Sequence, residues 1–136
     1  MTDAAAVHAL LLETRSTLAT AESLTGGLLG ATFTGVPGAS ATYLGGVISY
    51  ATDVKVSVLG VPASIVEAEG VVSGACAIAM ANGVRDLTGA TFAVSTTGVA
   101  GPDQQEGKAV GTVFVGLAGP NGSRAVALTL TGDRAQ

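Results

Sequence analysis

Apolar positions along this chain alternate between helical and extended periods. Val7, Leu10 and Leu11, with Thr14, recur at helical spacing and predict a helix over residues 4–16. A β-prone run, Thr17-Leu18-Ala19-Thr20, hands over to Leu28-Leu29-Gly30-Ala31-Thr32-Phe33, a second helix reaching about Thr34. Gly35-Val36-Pro37-Gly38 reads as a loop by its turn chemistry. The following segment ends in Gly45-Gly46-Val47-Ile48-Ser49-Tyr50, a strand. Short helices are expected over residues 52–59, with Thr52 as N-cap and Lys55 in the first turn, and from Pro62 to about Glu69. A longer apolar helix over residues 74–87 takes Ser73 as its cap. Thr91-Phe92-Ala93-Val94-Ser95-Thr96 is a strand. Val110 to Leu117 and Arg124 to Leu130 form a hairpin through Gly119-Pro120-Asn121-Gly122. Gly132-Asp133-Arg134 looks like the start of one more helix. Helices interleaved with strands in this order imply a mixed sheet with helices on both faces.

Composition narrows the picture. A chain of 136 residues is expected to form one domain. Its hydrophobic fraction is 48% but only 4% is aromatic, so Ala, Val, Leu and Gly must build a closely packed core. A net charge of −4 argues against a nucleic-acid-binding surface. The single cysteine, Cys76, reads as a small buried hydrophobe; it permits no internal disulfide and no metal cluster, which suits a reducing cytoplasm. There is no 18-residue apolar run and no basic signal region, so a soluble cytoplasmic protein without membrane contact is expected.

Chemistry concentrates in hydroxyl-rich loops around Ser23, Ser40 and Thr97, each beside a predicted strand end. The stretch Thr20-Ala21-Glu22-Ser23-Leu24-Thr25-Gly26-Gly27 places a carboxylate, hydroxyls and glycines where a strand passes into a helix. In α/β folds that edge gathers helix N-termini and ligands. Ser23 or Thr25 is expected to cap the helix there. No Gly-x-Ser-x-Gly elbow, P-loop or His-rich metal motif exists, and the lone His8 reads as a surface or interface residue. A serine nucleophile therefore needs another base, and Lys55 and Tyr50 are the candidates.

Taken together, several blocks are more informative. They are Thr20-Ala-Glu-Ser-Leu-Thr-Gly-Gly27, Val36-Pro-Gly-Ala-Ser40, Gly45-Gly-Val-Ile-Ser-Tyr50 with Lys55, and Leu59-Gly-Val61; then Thr97-Gly-Val-Ala-Gly-Pro102, Val110-Gly-Thr-Val113 and Gly132-Asp-Arg134. In this order and spacing the chain resembles the CinA carboxy-terminal domain family, the nicotinamide-nucleotide amidohydrolases, from about residue 5 to 134. The resemblance implies a three-layer α/β/α domain with a mixed, mostly parallel five-stranded sheet, commonly a homodimer. It also implies hydrolysis of the carboxamide of nicotinamide mononucleotide to nicotinate mononucleotide and ammonia, without metal or other cofactor. The family's nucleophile falls on Ser40, with Tyr50 and Lys55 as a proton relay. Its substrate-binding positions fall on Glu22, Ser23, Gly26, Gly27, Thr97, Gly98 and Arg134, with Arg134 and the Gly26-Gly27 turn meeting the phosphate.

The chain also departs from the family pattern. Leu24 stands where the family has Cys, Thr52 and Asp53 where it has Asn-Glu, and Ala109 where it has Pro. The family's final helix has no counterpart after Arg134, and an amino-terminal pyrophosphatase-like domain is missing, so a stand-alone form is expected. Thr52 and Asp53 motivate one rival, a nucleotide-binding module of this fold without catalysis. A different small amide substrate is the other.

Overall fold

In the computed structural model, which describes residues 2–99 and 106–129, local capping starts the elements and apolar contacts stack them. Thr2 accepts the Ala5 amide and opens α1, Asp3–Glu13. The strand β1, Leu18–Glu22, is buried along its whole length. Helix α2, Leu28–Thr34, leads through a 3-10 turn at Ala39–Ala41 into β2, Tyr43–Ile48. Helices α3, Thr52–Ser57, α4, Ala63–Glu69, and α5, Gly74–Thr88, then precede β3, Phe92–Gly98. The hairpin closes with β4, Thr112–Gly119, and β5, Gly122–Thr129, whose ends pair at Gly119 and Gly122.

The sheet order is β2-β1-β3-β4-β5. β1 runs parallel to both β2 and β3, while β4 is antiparallel to β3 and β5. The expected α/β fold with a mixed five-stranded sheet is therefore present, but parallel and antiparallel pairings are equal in number. The tight Pro120-Asn121 turn, which can join only antiparallel neighbours, accounts for one of the two antiparallel pairings, β4 with β5.

Alternate residues of the strands face different layers. Ser95 donates to the Ala77 carbonyl of α5, and a Cβ at Gly116 would land on that same carbonyl, so glycine lets α5 lie directly on β4. Thr20 on the other face meets the Tyr43 hydroxyl at 2.6 Å under α2. The core lies between α5 and the sheet, around Ala19, Ala21, Val72, Cys76, Met80, Val84 and Ala93. Cys76 is fully buried there, as its small apolar character predicts. Between α1 and the β3–β4 side of the opposite face, a groove of about 670 Å³ stays open, with Leu11, Phe92 and Leu117 on its walls. No helix among the described residues is long and apolar enough to cross a membrane.

This winding positions the site. From β1 the chain moves outward to β2 on one side, and from β3 it moves outward to β4 on the other. The carboxyl ends of β1 and β3 thus form the edge at which open α/β sheets place ligands. Glu22, Ser23 and Thr97 stand at that edge.

Candidate active site

Among the described residues, two charged side chains are buried at the carboxyl edge, Glu22 at 2% exposure and Lys55 at 1%. Burying a charge is costly unless its hydrogen-bonding capacity is met, so their partners define what each group does.

Glu22 is satisfied by donors. Its Oε1 accepts from the Thr25 hydroxyl at 2.6 Å and from the amides of Gly27 at 3.2 Å and Leu29 at 2.8 Å. Its Oε2 accepts from the Gly30 amide at 2.9 Å. A carboxylate thus caps the first turn of α2, using the exposed amides that every helix start presents. Neither Ser23 nor Thr25 is the cap expected from sequence. Thr25 instead bridges Glu22 to the Thr96 hydroxyl at 2.8 Å. At the expected phosphate seat, the Gly27 amide donates to Glu22 and the Gly26 amide to the Ser23 carbonyl.

Lys55 is satisfied by acceptors, none of them charged. Its Nζ donates to the Ser49 carbonyl at 2.7 Å, the Tyr50 carbonyl at 3.2 Å and the Ser23 hydroxyl at 2.9 Å. Burial pushes its pKa below the ordinary lysine value, and the partial opposing pull comes from Cys76 and Glu106. Burial likewise raises the Cys76 thiol. As a neutral amine, Lys55 can keep two N–H bonds to the carbonyls and turn its lone pair to Ser23. The same three contacts therefore serve both protonation states.

Local sequence explains the placement. Ser23 is the first residue beyond β1, tied to β3 by its amide on the Thr96 carbonyl at 3.0 Å. Ser49 follows β2, and its amide meets the Glu22 carbonyl at 2.7 Å. Ala51, rather than the expected Thr52, occupies the N-cap of α3, and Lys55 sits in the last turn rather than the first. That short helix folds the Lys55 side chain back beneath the ends of β1 and β2.

The remaining expectations divide. Ser40 lies exposed in the 3-10 turn that enters β2. Six residues of strand separate that entry from Ser49, about 20 Å at ~3.3 Å per residue. Lys55 therefore does not meet Ser40 within one chain; it meets Ser23. Tyr50 reaches Lys55 through its main-chain carbonyl, with its side chain 61% exposed. Thr97 is buried and donates its proton to the Val71 carbonyl at 2.7 Å. A Cβ at Gly98 would strike the Thr112 carbonyl, so glycine there admits the neighbouring strand. Arg134, like the Gly101-Pro102 pair, lies outside the described residues. His8, half-buried at the opposite edge, places its Nδ1 2.7 Å from the Thr42 hydroxyl. Among the described residues no group of His, Cys, Asp and Glu is arranged to hold a metal ion.

Comparison with known proteins converges on one family. The family model of the CinA C-terminal domain matches residues 2–136. A CinA-like protein of Frankia casuarinae is 56% identical over 128 residues, covering 94% of this chain and 30% of that protein. A putative competence-damage inducible protein of Halalkalibacterium halodurans is 51% identical over 127 residues, covering 93% and 30%. This chain thus spans less than a third of the length of these curated relatives. The crystal structure of the competence damage-inducible protein A from Klebsiella pneumoniae superposes with a TM-score of 0.94 at 32% identity, covering 97% of this chain and 83% of that one.

Proposed function

The chain belongs to the CinA C-terminal domain family, and from that premise we propose that it hydrolyses the carboxamide of nicotinamide mononucleotide, releasing ammonia and nicotinate mononucleotide. The observation that carries this reading is the buried Lys55 amine, 2.9 Å from the Ser23 hydroxyl at the carboxyl edge of the sheet. A buried lysine hydrogen-bonded to neutral oxygens can act as the base for a serine nucleophile with no histidine beside it. The substrate itself rests on the family resemblance.

In this scheme Lys55 Nζ takes the Ser23 proton as Oγ bonds to the amide carbon. The lysine then passes that proton to the departing nitrogen as the C–N bond breaks. Water attacks the resulting ester, giving its proton to Lys55, which returns it to Ser23 Oγ. Each cycle consumes one water, and Lys55 ends neutral. Glu22 and Thr97 hold the edge rigid while this happens.

One observation favours a second reading of the nucleophile. β2 is an edge strand, with Leu44 and Ile48 exposed along it and Leu28 of α2 exposed nearby. Antiparallel pairing of two β2 strands about a two-fold axis is self-complementary, and it sets the entry of one strand beside the exit of the other. In such a homodimer, Ser40 of the partner subunit approaches Lys55.

The test is ammonia release from nicotinamide mononucleotide, with nicotinamide riboside and nicotinamide compared and binding measured by calorimetry. Rapid release from the mononucleotide supports the proposal. Binding without release overturns it in favour of a non-catalytic nucleotide-binding module, and preference for another amide overturns the substrate. Mixing inactive Ser40→Ala and Lys55→Met proteins separates the two nucleophile readings. Recovered activity requires a site shared between subunits.

A further inference from the structure

Glu106 stands ahead of β4 in a loop whose sequence marks it only as polar. Its carboxylate reaches across to the approach of α5. There Oε2 accepts the Val71 amide at 2.9 Å and Oε1 the Val72 amide at 2.8 Å. Residues 70–72 are held from the other side as well, because the Thr97 hydroxyl donates to the Val71 carbonyl at 2.7 Å. The sequence accommodates this clamp at some cost. Glu106 takes a φ of 55°, a left-handed conformation disfavoured for any residue with a Cβ. Gly70 has a φ of 81°, and a Cβ there would lie 2.6 Å from a Glu106 oxygen. Val71 and Val72 are core residues, with Cys76 just inside α5 beyond them.

We propose that Glu106 is a positioning residue for the proposed reaction: its carboxylate clamps residues 70–72 and, through Val71 and Thr97, fixes the end of β3 against the Lys55 pocket. The inference rests on the Lys55-based reading. Electrostatics agree with it. Among the described residues the groups facing Lys55 are the neutral oxygens of Ser23, Ser49 and Tyr50, the Cys76 thiol and Glu106, and Glu106 favours the ammonium form. Removing its charge lets the Lys55 pKa fall further.

The experiment compares wild type, Glu106→Gln and Glu106→Asp by amide hydrogen exchange and by ammonia release from nicotinamide mononucleotide against pH. For Glu106→Gln, exchange at Val71 and Val72 should accelerate about tenfold or more, as expected when a charged acceptor is lost. KM should rise several-fold, and the acid limb of the rate profile should move to lower pH by some tenths of a unit. Glu106→Asp keeps the charge but shortens the reach. It should restore the acid limb while leaving exchange faster than wild type, and it replaces the glutamine variant if that one does not fold. Unchanged exchange at both amides overturns the clamp. Faster exchange with unchanged KM and unchanged acid limb reduces Glu106 to a structural residue and overturns its positioning role. If wild type releases no ammonia, the Lys55-based reading fails, and exchange alone still decides the clamp.

Discussion

Glu22 and Lys55 are both buried at the carboxyl edge of the sheet, and yet are solvated by the protein in opposite ways. Glu22 gathers one hydroxyl and three amides, all of them donors. Lys55 gathers two carbonyls and a hydroxyl, all neutral, so burial weakens its hold on a proton. A buried ion whose partners complement it is framework. One whose partners tolerate both protonation states is equipped to move a proton. Their substitution should therefore separate stability from turnover.

The largest expected effect is on rate. Lys55→Met keeps the apolar stem and removes the base, and it should lower ammonia release by a factor of about 10³ or more. The thermal midpoint, read by circular dichroism, should hold or rise, because the methionine buries no amine. A pronounced fall in the midpoint would make Lys55 structural and break the contrast. Glu22→Gln should do the reverse. It puts an amide among donors, leaves at least one of them unmet, and should cost about 2–3 kcal/mol in denaturant unfolding. Thr97→Val removes the single bond to the Val71 carbonyl and should cost about 1 kcal/mol by the same method.

Proton linkage sharpens the comparison further. The folded-state pKa of Lys55 lies below its unfolded value, so between the two the unfolded chain binds more protons. Stability from this group therefore rises with pH across that window, is complete above the unfolded lysine pKa, and is lost as pH falls through the folded value. Ammonia release should rise with pH through the same folded value, since the base must be neutral. Lys55→Met should flatten the stability increase seen in denaturant melts.

How much of this was legible beforehand differs between frame and site. The long helix with its Ser73 cap, the apolar Cys76 and the β4–β5 hairpin follow from periodicity and turn chemistry, both local properties. The antiparallel direction of β5 against β4 was visible in principle, since a tight turn dictates it. Lys55 stood out through its rarity among charges, but nothing local distinguishes a buried lysine from a solvated one. Ser23 and Ser40 are equivalent as hydroxyls beside strand ends. Only topology shows that one leaves a strand at the carboxyl edge and the other enters a strand about 20 Å away. Ser49 acts through a carbonyl, which its side chain does not advertise. Glu106 left a faint signal, a carboxylate facing a glycine 36 positions earlier, and no linear pattern encodes that approach.

The central claim is that the buried amine activates the serine it touches. Peptide mass spectrometry of the protein, acid-quenched while turning over nicotinamide mononucleotide, tests it most directly. An ester adduct on the peptide carrying Ser23 is the predicted result. An adduct on the peptide carrying Ser40, or turnover with no adduct on either serine, would contradict it.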